Sequence, residues 1–371
     1  MAQKKTRQSN IELFRIVTMF LIVAHHYVVN SGLMDVLRVE PLGARSFFYL
    51  IFGAWGKTGI NCFVLITGYF MCKSRLTVRR YLKLLLEVYF YRIGIFLVFL
   101  ATGRQALTLN QLLHLLLPFS SIDKGFTSCF LAFYLLIPFL NIGISHLSHK
   151  QHLALIGLLL LIYTIAPTIP GVDVSFNYVS WFVVIYVIGA YLRLYEIPLL
   201  EKHTGWKLLA VLLISIASIF ALGFLSRRMG VDINLSYYFL SDSNKPLALL
   251  TAVLAFLWFR SLPIGYHSWI NTIASAAFGV LLIHANSDAM RAWLWRDILH
   301  NAEMYGQSSF VLHAILSVVG IYTICTVLDL IRIRLLEQSL FAMLDKKAVL
   351  LRQIWENIKM SLHCSNSKGE K

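Results

Sequence analysis

Asn10-Ile-Glu12-Leu-Phe-Arg15-Ile-Val-Thr18-Met-Phe-Leu-Ile22-Val-Ala-His25-His26-Tyr27 is the first apolar segment of the chain, and it keeps ionisable groups that a plain membrane anchor would not carry. A charge inside a bilayer-spanning helix is costly, so each one is a functional candidate by default. Arg15 and His26 are 11 residues apart, about three helical turns and roughly 16 Å of rise. They therefore share one helix face, and Glu12 lies one turn from Arg15 on that face. A cation low on the helix and an imidazole high on the same face have the form of a site that crosses the membrane.

Composition agrees with that reading. The chain has 371 residues, 58% of them hydrophobic and only 14% charged, with a mean hydropathy of +0.70. A soluble core has no use for so much apolar surface, whereas an integral membrane protein with many spans does. The formal net charge of +15 would suggest nucleic acid in a soluble protein. Here the cations sit in short connections between apolar segments and report topology and anionic membrane lipids, so no nucleic-acid partner is expected. Cys62, Cys72, Cys129, Cys325 and Cys364 form no CxxC pair, and neither a disulfide framework nor a zinc site is expected. The first segment lacks a small-residue cleavage site and is read as a retained helix, not a signal peptide.

The expected fold is all-α, a polytopic membrane protein of about ten spans. They centre on residues 11–30, 47–71, 84–101, 127–145, 152–169, 178–195, 206–225, 246–260, 269–288 and 309–331. Lys4, Lys5 and Arg7 precede the first span, and Lys73, Arg75, Arg79, Arg80 and Lys83 follow the second. Arg193, Lys202 and Lys207 follow the sixth, and Arg332, Arg334, Lys346 and Lys347 the tenth. The intervening loops carry fewer cations, although Arg227, Arg228 and Lys245 fit the pattern less well. Cytoplasmic N- and C-termini follow from this alternation. Residues 1–336 form the membrane domain. The tail, 337–371, spaces Leu340, Leu344, Leu351, Ile354, Trp355 and Ile358 helically between cations, as an amphipathic helix on the cytoplasmic surface does.

Each candidate site has a plain alternative. His26 is a candidate general base, whereas a histidine near a helix end is also a common interfacial residue. His25, about 100° around the helix, is the weaker of the two. Arg75, Arg79, Arg80 and Lys83 at the start of the third span are either positive-inside anchors or a clamp for the phosphates of a cytoplasmic donor. Arg92, deeper in that span, is structural or lines the same channel. Gly53-Ala-Trp-Gly56-Lys57-Thr58-Gly59 is not a phosphate loop, because Ile51 stands where that motif needs glycine. Its glycines are read as close helix contacts, and Lys57 as snorkelling to the outer interface. His146, His149 and His152 have no acidic or cysteine partner and are not read as a metal site. His284 rates as a polar lining residue, and Trp181-Phe182 as part of an aromatic belt.

Together these segments resemble the acyltransferase-3 family of integral-membrane acyltransferases, from about Asn10 to Asp329. Glu12, Arg15 and His26 match the family's opening acid, arginine and histidine in spacing. Phe63-Val-Leu-Ile-Thr67-Gly68-Tyr69, Trp181-Phe182 with Tyr186-Val-Ile-Gly189-Ala190-Tyr191, and Phe278-Gly279-Val-Leu-Leu-Ile-His284 are similar to three later family segments. The resemblance implies transfer of an acyl group, usually acetyl, from acyl-coenzyme A to a hydroxyl of a carbohydrate or lipid-linked saccharide. Coenzyme A is then a co-substrate, with no bound cofactor and no metal. His26 is implied as the catalytic histidine, with Arg15 and Glu12 beside it. A pair of arginines three apart in the third span falls here on Arg80 and Lys83, next to Arg79, as the donor-phosphate site. Lysine keeps the charge and loses the bidentate fork. His25, His284 and Arg92 are candidates for the acceptor side. Gly125 replaces a family tryptophan, and Phe130 and Leu131 replace acids, which brings the chain closer to the branch associated with exopolysaccharide and capsule modification in the bacterial cytoplasmic membrane. An acyl-histidine intermediate stays open. The competing class is a secondary transporter or flippase for a polysaccharide precursor, because intramembrane charges also mark transport paths.

Overall fold

Lipid offers the backbone no hydrogen bonds, so a spanning chain must satisfy its own. The computed structural model, which describes residues 7–122 and 125–343, does so with helices alone. It is 77% helix, with no strand among the described residues. In order these are α1 (Ser9–Val29), α2 (Leu33–Val39), α3 (Ala44–Gly53), α4 (Gly56–Met71), α5 (Val78–Ala101), α6 (Leu109–Leu116), α7 (Phe126–Ser145), α8 (His149–Leu160), α9 (Tyr178–Leu194), α10 (Pro198–Glu201), α11 (Thr204–Met229), α12 (Pro246–Ser261), α13 (Ser268–Ser275), α14 (Ala277–His284), α15 (Asp288–Ala292) and α16 (Phe310–Arg332).

Among the described residues, seven helices are long and apolar enough to cross a membrane. The pair Ser268–His284 and Asp288–Gly306 is apolar enough when taken together but turns by 94° at its break, the form of a broken span or a re-entrant loop. The other two segments in the sequence-based count of ten are α9 and α12, which are apolar but shorter than the rest, at 17 and 16 residues. Large apolar side chains stand exposed along α11 (Leu209, Leu213, Phe224) and α16 (Leu312, Leu316, Ile324). That is the inverse of a soluble surface and the form of one that faces lipid.

Lipid is as apolar as leucine, so helices in a membrane associate through close packing and hydrogen bonds. Two glycine contacts supply the packing. Gly53, Gly56 and Gly59 lie under Val28, His25 and Ile22 of α1. An added Cβ would come within 2.8, 2.1 and 2.7 Å of those side chains respectively. Gly68 of α4 and Gly189 of α9 bring backbones together, and a Cβ on either would meet a carbonyl oxygen at 2.9 Å. The glycines thus serve the helix packing the sequence assigned them. α4 becomes the hub, touching α1, α9 and α12. Phe63, Phe130 and Phe278, from three different helices, close the centre with ring centroids 5.7–6.0 Å apart.

The chain forms a compact unit through Thr326 and a second from Val327. Within the second unit Arg332 Nε lies 2.7 Å from Asp329, and its Nη1 lies 3.2 Å from Glu337. The helix continues through a wider turn at Ile333–Glu337 to Met343. Of the surface helix expected over 337–371, residues 337–343 continue this long helix, and residues 344–371 lie outside the described residues.

Candidate active site

α1 ends where Asn30 closes the helix with a bond to the His26 carbonyl, and this end carries the site. A cavity of about 1000 Å³ surrounds it. The walls come from one end of each neighbouring helix. They include Ile22, His25 and His26 at the end of α1, Lys57 at the start of α4, Thr127 and Ser128 at the start of α7, and Tyr178 at the start of α9. Arg92 in the second half of α5, Gln111 and His114 of α6, and the break between α14 and α15 complete it.

His26 Nδ1 lies 2.9 Å from His284 Nε2, and His284 Nδ1 lies 2.6 Å from the Val280 carbonyl oxygen. A carbonyl only accepts, so His284 carries its proton on Nδ1. With both rings neutral its Nε2 is then the acceptor, and His26 Nδ1–H donates to it. His26 Nε2 is left with a free lone pair. His284 is fully buried at the end of α14, so it is the fixed partner of His26 and not a lining residue. The sequence ranked it as lining because 258 residues separate the two rings.

His25, named with Arg92 as a candidate for the acceptor side, shares the cavity with it. Although about 100° from His26, it lines the same cavity, because the cavity wraps the end of α1. Its Nδ1 donates to the Gly53 carbonyl at 2.6 Å. Lys57 does not snorkel outward. Its Nζ donates to the Tyr178 hydroxyl at 2.6 Å and lies 3.3 Å from Asp242. Trp181 is no belt residue either. It is fully buried, and its Nε1 donates to Asn61 Oδ1 at 2.8 Å, while Asn61 donates to the Ser243 carbonyl at 2.7 Å. Tyr178, Trp181 and the 242–243 turn thus give polar groups of α4 inward partners that no local pattern announces.

At the opposite end of α1, Arg15 and the buried Glu12 form an ion pair at 3.1 Å. Neither lines the cavity, nor do Arg79, Arg80 or Lys83. Arg15 and Arg80 both act electrostatically on the Tyr134 hydroxyl, which gathers them near the start of α5. Arg80 and Arg92 are 12 residues apart, about 18 Å along that helix. The predicted residues therefore divide into two groups. Glu12, Arg15 and Arg80 lie at one end, and His25, His26, His284 and Arg92 at the other. Ile22 and Val88 lie on the stretches of α1 and α5 between them and line the cavity.

His146, His149 and His152 do not converge. Their rings bond separately to the Ile142 carbonyl, the Tyr191 hydroxyl and the Val187 carbonyl. The described residues hold no cluster of three potential metal ligands.

A family model described as an acyltransferase domain, that of the acyltransferase-3 family, matches residues 8–330. No curated protein and no solved structure matches the chain significantly.

Proposed function

Because the chain belongs to the acyltransferase-3 family, we propose that it is a membrane O-acyltransferase that moves an acetyl group from acetyl-coenzyme A to a hydroxyl of a cell-surface saccharide or its lipid-linked precursor. Its apolar helices and its family make it an integral membrane acyltransferase. The finer reading rests above all on the bond between His26 and His284, which leaves a free imidazole nitrogen at a cavity large enough for a sugar.

The reaction follows from the two ends of the bundle. Ten spans with both termini in the cytoplasm of a bacterial inner membrane put the start of α5 on the cytoplasmic side and the cavity toward the outer one. The phosphates of coenzyme A bind Arg79, Arg80 and Lys83. The pantetheine arm runs between α1 and α5, with Arg15 positioning it. His26 Nε2 removes the proton of the acceptor hydroxyl as its oxygen attacks the thioester carbonyl carbon. The new C–O bond forms, the C–S bond breaks, and the thiolate of coenzyme A takes the proton from His26. An acyl-histidine route uses the same nitrogen as nucleophile.

The sharp break between α14 and α15 joins the intramembrane charges in favouring a transporter, since broken spans are common at transport sites. A transporter has no need to bind acetyl-coenzyme A, and the enzyme must. Release of coenzyme A from acetyl-coenzyme A by the purified protein, with a crude polysaccharide precursor as acceptor, tests the proposal. It is expected in the wild type and lost in His26→Ala. A folded His26→Ala protein with full activity would end the histidine mechanism, and failure to bind the donor would end the acyltransferase reading.

A further inference from the structure

Among the described residues, the cavity around His26 carries an excess cation. Three cationic side chains line it, Lys57, Arg92 and Arg291, with one carboxylate, Asp288. Lys57 is balanced by Asp242 at 3.3 Å, and Arg291 by an ion pair with Asp288. Arg92 differs. Its Nη1 donates to the Leu117 carbonyl at 3.0 Å and its Nη2 to Ser120 Oγ at 3.2 Å. Both are neutral acceptors, and among the described residues no carboxylate pairs with it. A half-buried guanidinium with only neutral partners keeps its charge uncompensated and its fork suited to an oxyanion. Among apolar lining residues such as Ile22, Val88 and Phe96, the wall also carries the neutral hydrogen-bonding side chains of Gln105, Gln111, Ser128 and Asn286. Such groups suit a hydroxyl-rich ligand.

Coenzyme A supplies oxyanions too, but a different cationic group serves them. Arg79, Arg80 and Lys83 stand roughly 14–20 Å below Arg92 on α5, outside the cavity wall. Arg92 instead shares its wall with His26.

We propose that the acceptor is an anionic saccharide, with a carboxylate or phosphate held by Arg92 while a hydroxyl is presented to His26. This rests on the acyltransferase reading and narrows its substrate class. The oxyanion belongs either to an acidic sugar or to the phosphate of a lipid-linked carrier.

Equilibrium binding to the purified full chain separates the cases without requiring turnover. The probes are methyl glucuronide against methyl glucoside, which differ in the carboxylate, and glucose 1-phosphate for the phosphate. The wild type is expected to bind at least one anionic probe roughly tenfold more tightly than the neutral one, the usual scale for a charge-assisted bond. Arg92→Gln is expected to remove the preference and Arg92→Lys to retain part of it. Preference for glucuronide points to an acidic sugar, and preference for glucose 1-phosphate to the carrier. Equal binding of all three probes by the wild type would overturn the inference, as would a preference that survives in Arg92→Gln. A loss of acetyl-coenzyme A affinity in Arg92→Gln, with acceptor preference intact, would overturn it by moving Arg92 to the donor. Coenzyme A release measured beside it reports on the broader reading. Selective binding without any transfer would leave the anion site standing and remove the acyltransferase assignment.

Discussion

Replacing His284 by alanine tests the two-histidine arrangement most directly. His284 touches no substrate in the proposed reaction, and it acts only through the 2.9 Å bond to His26 Nδ1. That bond holds the proton on Nδ1 and leaves Nε2 as the base. A neutral hydrogen bond is worth about 0.5–1.5 kcal/mol net, a factor of roughly 2 to 13. Losing the ring's fixed orientation adds to this, since misplaced catalytic groups are themselves slow. His284→Ala is therefore expected to lower kcat by about 10- to 100-fold, or roughly 1.4–2.7 kcal/mol, with the KM for acetyl-coenzyme A nearly unchanged. His26→Ala removes the base itself and is expected to cost about 10²- to 10⁴-fold. In His284→Gln an amide oxygen can still accept the Nδ1 proton, so part of the loss is recovered. The assay is coenzyme A release in detergent, with thermal unfolding alongside to separate misfolding from lost orientation. The double variant is decisive, because a residue that acts through His26 adds nothing once His26 is gone. If His284→Ala lowers kcat less than twofold, or if its loss multiplies that of His26→Ala in the double variant, the reasoning is refuted.

Other positions give independent checks. Gly56→Ala places a Cβ 2.1 Å from the His25 ring, which cannot swing away without losing its bond to Gly53. A destabilisation of about 1–3 kcal/mol is expected by thermal unfolding, and a wild-type melting temperature would contradict this packing. Asn61→Ala strands the buried indole N–H of Trp181 and the Ser243 carbonyl. At about 1–3 kcal/mol for each orphaned group, it should lower the melting temperature more than an alanine at exposed Asn110, and equal shifts would speak against it. Arg80→Ala and Lys83→Ala are expected to raise the KM for acetyl-coenzyme A several-fold, more at low salt than at high, with little change in kcat. A kcat effect at unchanged KM would remove them from the donor site.

Much of the molecule was legible along the chain because the relevant physics is local. Hydrophobicity sustained over a helix length reports a span whatever surrounds it, and so the all-α membrane fold could be read from composition and segment lengths. The Arg15-to-His26 spacing is a property of a single helix, and the glycines at 53, 56 and 59 recur at a helix-contact interval. The short α9 and α12 and the bend after His284 were less legible. Hydropathy averages over a window and does not register where a helix stops or turns.

Sequence alone therefore determined the class, the family likeness, the histidine worth testing and the basic helix start. Tertiary structure decided which groups meet. Which face of α14 meets α1 depends on helix rotation and on glycine contacts that involve several helices at once, and no spacing rule spans the 258 residues between His26 and His284. The same packing turned Lys57 and Trp181 inward, since Asp242 and Asn61 became available only once α4, α9 and the 242–243 turn were assembled. It also enclosed His26 in the cavity and left Arg15 outside it, although one helix face carries both. The distance along a helix is fixed by its rise, whereas the room around each end depends on the neighbours that pack there.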